Sequence, residues 1–266
     1  MEWPDSRFEY LPHIKSMMAK GLGCRSGAAY KPWTNFRTRT RVGTERAFRC
    51  SKTGRMVNHR SAAHKAYFCL QERRSCVVSV EEEFPLLNIA ETLKICHRLG
   101  LEQPSKAKRP EPLVVCFLIR EVRDGKQFAV ARSLSRASPE ARQEASLLDA
   151  IAQGCASLDL EWKQVDSEPL TETLLASLMF ARGWLQRRFN PDEVEVRRFV
   201  EAFFKHHSRA STLIELLEAC TARLDVPLEQ ADTLFRYAAW TGAIPVDFSF
   251  KLARDEVVRL IGHGRA

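Results

Sequence analysis

Arg37, Arg39 and Arg41 alternate with Thr38 and Thr40, and on a strand that alternation sets all three guanidinium groups on one face. Arg46, Arg49, Lys52 and Arg55 follow closely. A row of cations on an extended ribbon suits phosphate, which a planar guanidinium meets with two parallel N–H donors. Phe36 and Phe48 are placed to anchor such a ribbon to a core. Charge along the chain is uneven in the same place. The whole sequence holds 41 Lys/Arg and 33 Asp/Glu; residues 1–60 hold 13 and 4, a net of +9, which leaves 28 against 29, a net of −1, for the rest. A one-sided excess is the electrostatic footprint of a nucleic-acid binder. The competing reading is a solvated basic edge strand that discourages aggregation.

Other chemistry-bearing residues are harder to assemble into a centre. Metal-dependent phosphodiester cleavage needs two acidic groups around a divalent ion and a cation beside them. Glu72 and the run Glu81-Glu82-Glu83 supply carboxylates, the run reading as a solvated strand end, and Glu144 and Asp149 supply two more on a later helix. His64 with Cys116 suits a softer metal such as zinc, which would need two further ligands; a histidine filling space beside a buried cysteine is the simpler reading. The expectation is therefore no bound metal and no cofactor. The eight cysteines never fall at C-x-x-C spacing and read as small buried hydrophobes in a reducing compartment. No window approaches 18 uninterrupted apolar residues, and Met1-Glu2-Trp3-Pro4-Asp5 lacks a secretory layout. A soluble, cytoplasmic protein without membrane contact is expected.

The elements that would position these residues are legible in outline. Residues 1–29 read as an arm with a helix from Tyr10 to Lys20 and a Gly-rich loop at Gly21, Gly23 and Gly27. Residues 35–50 and 54–60 read as strands around the turn Ser51-Lys52-Thr53-Gly54. Ser61 is a candidate N-cap for a helix to Glu72. Cys76 to Val80 is a short strand ended by the glutamates and Pro85, and Ile89 to Leu99 a helix stopped by Gly100. Residues 103–111 read as a loop. Leu113–Val122 and Gln127–Leu134 form a hairpin through Arg123-Asp124-Gly125. A helix starts at Ser138-Pro139-Glu140 and runs to Ala156, with Leu160–Val165 as a last strand. This order describes an α/β layer with a mixed sheet. From Thr171 the pattern is helical, with a linker near residues 187–192 and helices over Phe199–His206, Ser211–Ala222 and Leu228–Trp240. Thr241 to Asp247 reads as a turn and a wing-like strand, so the region matches a winged-helix outline, or else a helical bundle for protein contacts. The expected division is an arm (1–29), an α/β domain (30–168) and a helical domain with its tail (169–266).

The stretch Tyr30-Lys31-Pro32-Trp33, then Ser51-Lys52-Thr53-Gly54-Arg55, then Glu83-Phe84-Pro85-Leu86-Leu87 resembles the TnsA family, the endonuclease subunits of heteromeric bacterial transposons. Leu99-Gly100 with Pro104, Cys116-Phe117-Leu118-Ile119, Gln127-Phe128-Ala129, Thr212-Leu213-Ile214 and Gly242-Ala243-Ile244 extend the resemblance almost end to end. It implies a restriction-endonuclease-like N-terminal domain that cuts the 5′ ends of the element, with a DDE transposase, TnsB, acting on the 3′ ends. It further implies a winged-helix-like C-terminal domain and a tail contacting TnsC, an AAA+ ATPase.

The family's catalytic positions fall on four residues that lack the chemistry. Its helix glutamate falls on His64, its strand aspartate on Cys116, and its glutamine and lysine on Ala131 and Ser133. A one-residue slip offers Arg132 or Lys65 and no carboxylate. The resemblance thus implies a catalytically silent subunit that binds transposon-end DNA and bridges transposase to ATPase. Two other readings stay open: a working 5′-end endonuclease with relocated ligands, and a TnsA-like DNA-binding regulator.

Overall fold

The turn Arg123-Asp124-Gly125 closes a hairpin because Asp124 and Gly125 both take positive φ, 49° and 73°, the left-handed conformations that a tight two-residue connection needs. This hairpin is the middle of the sheet. The structure, a computed structural model, describes residues 3–34, 47–135, 141–187 and 190–262. It divides into two compact units, Met1–Glu168 and Pro169–Ala266.

The first unit contains, in chain order, α1 (Pro12–Ala19), β1 (Ala47–Arg49), β2 (Met56–Asn58), α2 (Ala62–Glu72), β3 (Val77–Leu86), α3 (Ile89–Arg98), β4 (Ser105–Lys106), β5 (Arg109–Pro110), β6 (Leu113–Arg123), β7 (Lys126–Ser135), α4 (Ala141–Ala156) and β8 (Glu161–Asp166). The main sheet runs β3-β6-β7-β8. β3 and β7 flank β6 antiparallel, with Leu118 opposite Glu81 on one side and Ala131 on the other. After β7 the chain crosses through α4 and returns as β8 parallel to β7, the crossover that a parallel neighbour requires. The fold is mixed α/β with a mixed four-stranded sheet. β1 and β2 form a separate antiparallel pair, Phe48 opposite Val57.

Ser61 caps α2, its hydroxyl accepting from the His64 N–H. One buried cluster joins Phe84 and Leu86 of β3, Leu113, Val115 and Leu118 of β6, Ala131 of β7, and Ala150 and Ile151 of α4. Trp3, Ile14 and Tyr30 belong to the same cluster, so the segment before β1 contributes side chains to the core of the unit. Gly23 marks the closest approach: its φ is +65°, and a Cβ there would overlap the Pro85 ring. Gly23→Ala should therefore lower stability by on the order of 2 kcal/mol, read from urea denaturation of the full chain. An unchanged midpoint would mean that the loop shifts away at no cost.

Two expectations for this unit need correction. β3 does not stop before the glutamates; it runs on to Leu86, for a reason taken up below. Residues 103–111 are not a plain loop, since β4 and β5 pair across them, Ser105 with Pro110 and Lys106 with Arg109.

The second unit holds four α-helices among the described residues, α5 (Glu172–Arg182), α6 (Glu193–His206), α7 (Leu213–Leu224) and α8 (Leu228–Thr241), with a 3-10 turn over Gly183–Arg187 after α5. α6 starts six residues before the expected Phe199 because Asp192 caps it, accepting from the Glu195 N–H. At α7, Thr212 and Glu215 form a reciprocal capping box. Leu213, Leu216, Leu217, Leu234, Phe235 and Trp240 are buried, as helical spacing requires of a core. The wing-like strand is not formed: Val246 makes an isolated antiparallel bridge with Leu260, and Thr212 another with Val257. Nor is the segment after Phe248 a loose strap. Phe248, Leu252, Val258 and Leu260 are buried, and the Leu213 and Ile214 N–H groups donate to Glu256 and Arg254 carbonyls. No helix among the described residues is long and apolar enough to cross a membrane.

Candidate functional site

Leu118 and Ala131 are register partners, and side chains two apart on a strand share a face. Ala131 and Ser133 therefore lie on one face of β7, and Cys116 sits beside them on the neighbouring strand. The Leu134 N–H approaches the Cys116 Sγ at 3.4 Å, and the Trp162 indole N–H donates to the Ser133 Oγ at 3.2 Å. Ala131 and Ser133 are sealed, at 0% and 1% exposure. Nothing in this trio supplies a carboxylate or an ammonium.

His64 goes elsewhere. Its Nδ1 lies 2.9 Å from the Ser61 Oγ, and its ring centroid lies 5.8 Å from that of Phe117. Phe117 precedes Leu118 on the strand, and the two side chains point to opposite faces. His64 thus packs on Phe117, and Cys116 is half-buried; the two together fall short of the four ligands a structural zinc takes. Among the described residues no group of three or more His, Cys, Asp or Glu side chains is placed to hold a metal.

The residues that sequence reasoning misjudged are the glutamates. Glu72, Glu81, Glu82, Glu83 and Glu121 are all buried, so the Glu81–Glu83 run is interior and not a solvated strand end. A buried carboxylate is costly unless it is paired and hydrogen-bonded, and each of these is provided for. Glu81 accepts from the Arg120 Nε at 3.0 Å, the Ser79 hydroxyl and the Gly27 N–H. Glu82 is held by Arg55 through two N–H groups at 2.6 and 2.5 Å. Glu83 pairs with Arg60, and Glu121 with Arg74 and Arg123. Glu72 accepts from the Ser51 N–H and hydroxyl.

The electrostatics follow from that matching. Burial pushes Glu82 and Glu83 upward, and the hydrogen bond and charge of Arg55 or Arg60 oppose it. For both arginines burial pulls down, but the glutamate outweighs it and they end above their ordinary value. Each guanidinium is thus locked in its charged form. Glu83 is the member of the row that falls level with Cys116, because the register places Glu82 opposite Phe117 and Phe84 opposite Val115. Its φ of 53° is uncommon for a residue with a side chain. A sequence signal for this interior row existed: the glutamates sit between Val77-Val78 and Phe84-Leu86-Leu87, a frame too apolar for a solvated end.

The remaining candidates scatter. Asp149 is exposed on α4, where its carboxylate accepts from Gln153 at 3.1 Å, and Glu144 is partly buried one helical stretch earlier; the exposed Asp149 does not face the β6–β7 trio. Arg37, Arg39, Arg41 and Arg46 lie outside the described residues. Arg49 and Lys52 are exposed, donating to the carbonyls of Gly54 and Arg74. Arg55 is committed to Glu82 inside the fold, which removes it from any phosphate-contacting surface. All eight cysteines are free; burial pushes the Cys155 thiol to about 12 and Cys220 to about 11, which leaves almost no thiolate at neutral pH.

No protein-family model matches the chain, and no curated protein matches it.

Proposed function

We propose that this chain is a catalytically inactive TnsA-like subunit of a Tns-type transposition machinery in the bacterial cytoplasm. It binds transposon-end DNA and bridges a TnsB-type DDE transposase to a TnsC-type AAA+ ATPase. In this reading the first unit is a restriction-endonuclease-like domain and the second a winged-helix-like domain adapted to protein contacts. The observation that carries the proposal is the filled centre: Cys116, Ala131 and Ser133 supply neither a carboxylate nor a lysine, Ala131 and Ser133 are sealed, and the glutamates within the sheet are matched by arginines. Without a carboxylate pair no divalent ion is held to activate water or polarise phosphate. The near-neutral charge of residues 61–266 supports assigning DNA contact to the basic first 60 residues, Arg49 and Lys52 among the described ones.

The test is a strand-specific cleavage assay on transposon-end DNA with the cognate transposase and Mg²⁺ or Mn²⁺. The expected result is uncut 5′ strands. Joining of the 3′ ends then leaves donor and target linked, and replication of that branched product gives cointegrates, countable by long-read sequencing. A majority of simple insertions in a host without resolvase or recombination would overturn the proposal.

A second reading, a working nuclease with relocated ligands, is favoured by one observation, the buried Glu83 carboxylate across from Cys116. Reproducible 5′ nicking that vanishes in Glu83→Gln would establish it.

A further inference from the structure

A cleft of about 230 Å³ opens in the first unit, lined by Trp3, Gly23, Arg25, Ser26, Phe84 and Arg120. It holds two guanidinium groups and a hydroxyl, backed by two aromatic rings whose centroids lie 6.5 Å apart and whose planes differ by 23°. The negative charge that belongs to Arg120 is already engaged. Glu81 takes the Arg120 Nε on both oxygens at 3.0 Å, and also accepts from Ser79 and Gly27. Arg25 makes no ion pair with the described residues, so the lining carries an uncompensated positive charge. Cys24 adds no nucleophile: its thiol donates to the Leu22 carbonyl at 3.1 Å, and burial pushes it to about 11.

Trp3 closes the floor of the cleft; it is buried, and its indole nitrogen is sealed from solvent. The loop is also fixed in place. The Gly23 N–H donates to the Lys31 carbonyl at 2.8 Å, and the Gly27 N–H ties the far end to Glu81. At Gly23 a side chain would overlap Pro85. The cleft is therefore formed before any ligand arrives, and what its side chains offer is donors and positive charge.

We propose that this cleft binds a phosphate ester, its oxygens held by Arg25 and Arg120. Guanidinium forks match phosphate oxygens in pairs, and the volume falls below that of sites for drug-sized molecules, which suits a phosphate with one attached sugar. The inference is independent of the transposition reading.

The test is a titration of the ¹⁵N-labelled full chain with deoxyadenosine 5′-monophosphate, and separately with deoxyadenosine, at constant ionic strength. The Trp3 indole resonance, assigned by its loss in Trp3→Phe, should shift saturably with the monophosphate and not with the nucleoside. Arg25→Gln, at an exposed position, should weaken the monophosphate about tenfold while leaving the spectrum of the fold intact. No saturable shift, an equal response to the nucleoside, or an unchanged affinity in Arg25→Gln would each overturn the proposal. A duplex DNA arm identifies the source of the ester. Weaker duplex binding by Arg25→Gln at matched salt supports a backbone phosphate, and unaltered duplex binding beside weakened monophosphate supports a soluble ligand.

Discussion

Arg55→Met should cost the first unit about 3–5 kcal/mol, the range for removing one partner of a buried ion pair. The side chains of Arg55 and Glu82 are 9% and 3% exposed, so solvent does little to screen the loss. Arg55 also donates to the Val80 carbonyl and lies over the Tyr30 ring, 5.2 Å from its centroid. Methionine keeps much of the length and strips the charge, which leaves Glu82 buried without a counter-ion. The double variant Arg55→Met with Glu82→Leu should recover most of the deficit, because an apolar pair of similar volume often replaces a buried ion pair at no net cost. The pH dependence has a definite sign. Burial already raises Glu82, and Arg55 is the main force lowering it, so its removal raises the carboxyl further. A raised folded-state value gives stability that is complete below the ordinary 4.5 and lost as pH rises through the raised value. The deficit of Arg55→Met should therefore be small near pH 4.5 and grow toward neutrality. Urea denaturation across that range is the measurement, and a deficit that is absent at pH 7 would mean the pair contributes nothing to the fold.

Rebuilding the family's catalytic set should fail structurally before it fails chemically. Ala131 sits in the core with Leu118 and Ala150, and Ser133 accepts from Trp162 in a sealed position. Ala131→Gln inserts a long polar side chain where no space is open, at about 1–3 kcal/mol for overpacking alone. Ser133→Lys places an ammonium in the same interior, costing several kcal/mol more unless it gives up its proton. The quadruple variant His64→Glu, Cys116→Asp, Ala131→Gln and Ser133→Lys should therefore be destabilised by at least about 4 kcal/mol and gain no 5′ cleavage. A cooperative denaturation midpoint equal to that of the parent protein, together with Mg²⁺-dependent nicking, would show that the interior has room for the four side chains and overturn this expectation.

What could be read from the sequence was what is decided locally. Ser61 caps α2 as its type and place suggested, and Asp124-Gly125 turns the β6–β7 hairpin, because a cap and a tight turn are settled within a few residues. Likewise Ile89 opens α3 and Ala156 ends α4 where the periodicity placed them. What could not be read depends on partners far along the chain. β3 continues through three glutamates because Arg120, Arg55 and Arg60 come from another strand and from the segment before α2. Local pattern alone reads three adjacent carboxylates as solvated, since it cannot know that each will meet its own guanidinium. The same blindness made Arg55 look like a phosphate contact and the wing look like a strand. Ala131 and Ser133 were legible as a pair, because their two-residue spacing on β7 fixes a common face; the packing of His64 on Phe117 was not.

The buried glutamate–arginine pairs of the first unit also bear on how the protein responds to heat. Charged groups lose favourable hydration as temperature rises, so the penalty for holding them out of water falls, while apolar burial gains little more per unit area. Near room temperature the pairs of Glu81, Glu82, Glu83 and Glu121 give little net benefit over an apolar interior. On warming they take a growing share in holding β3 to β6 and to the segment before α2, and the sheet's resistance to melting shifts from its oily contacts to its ionic ones.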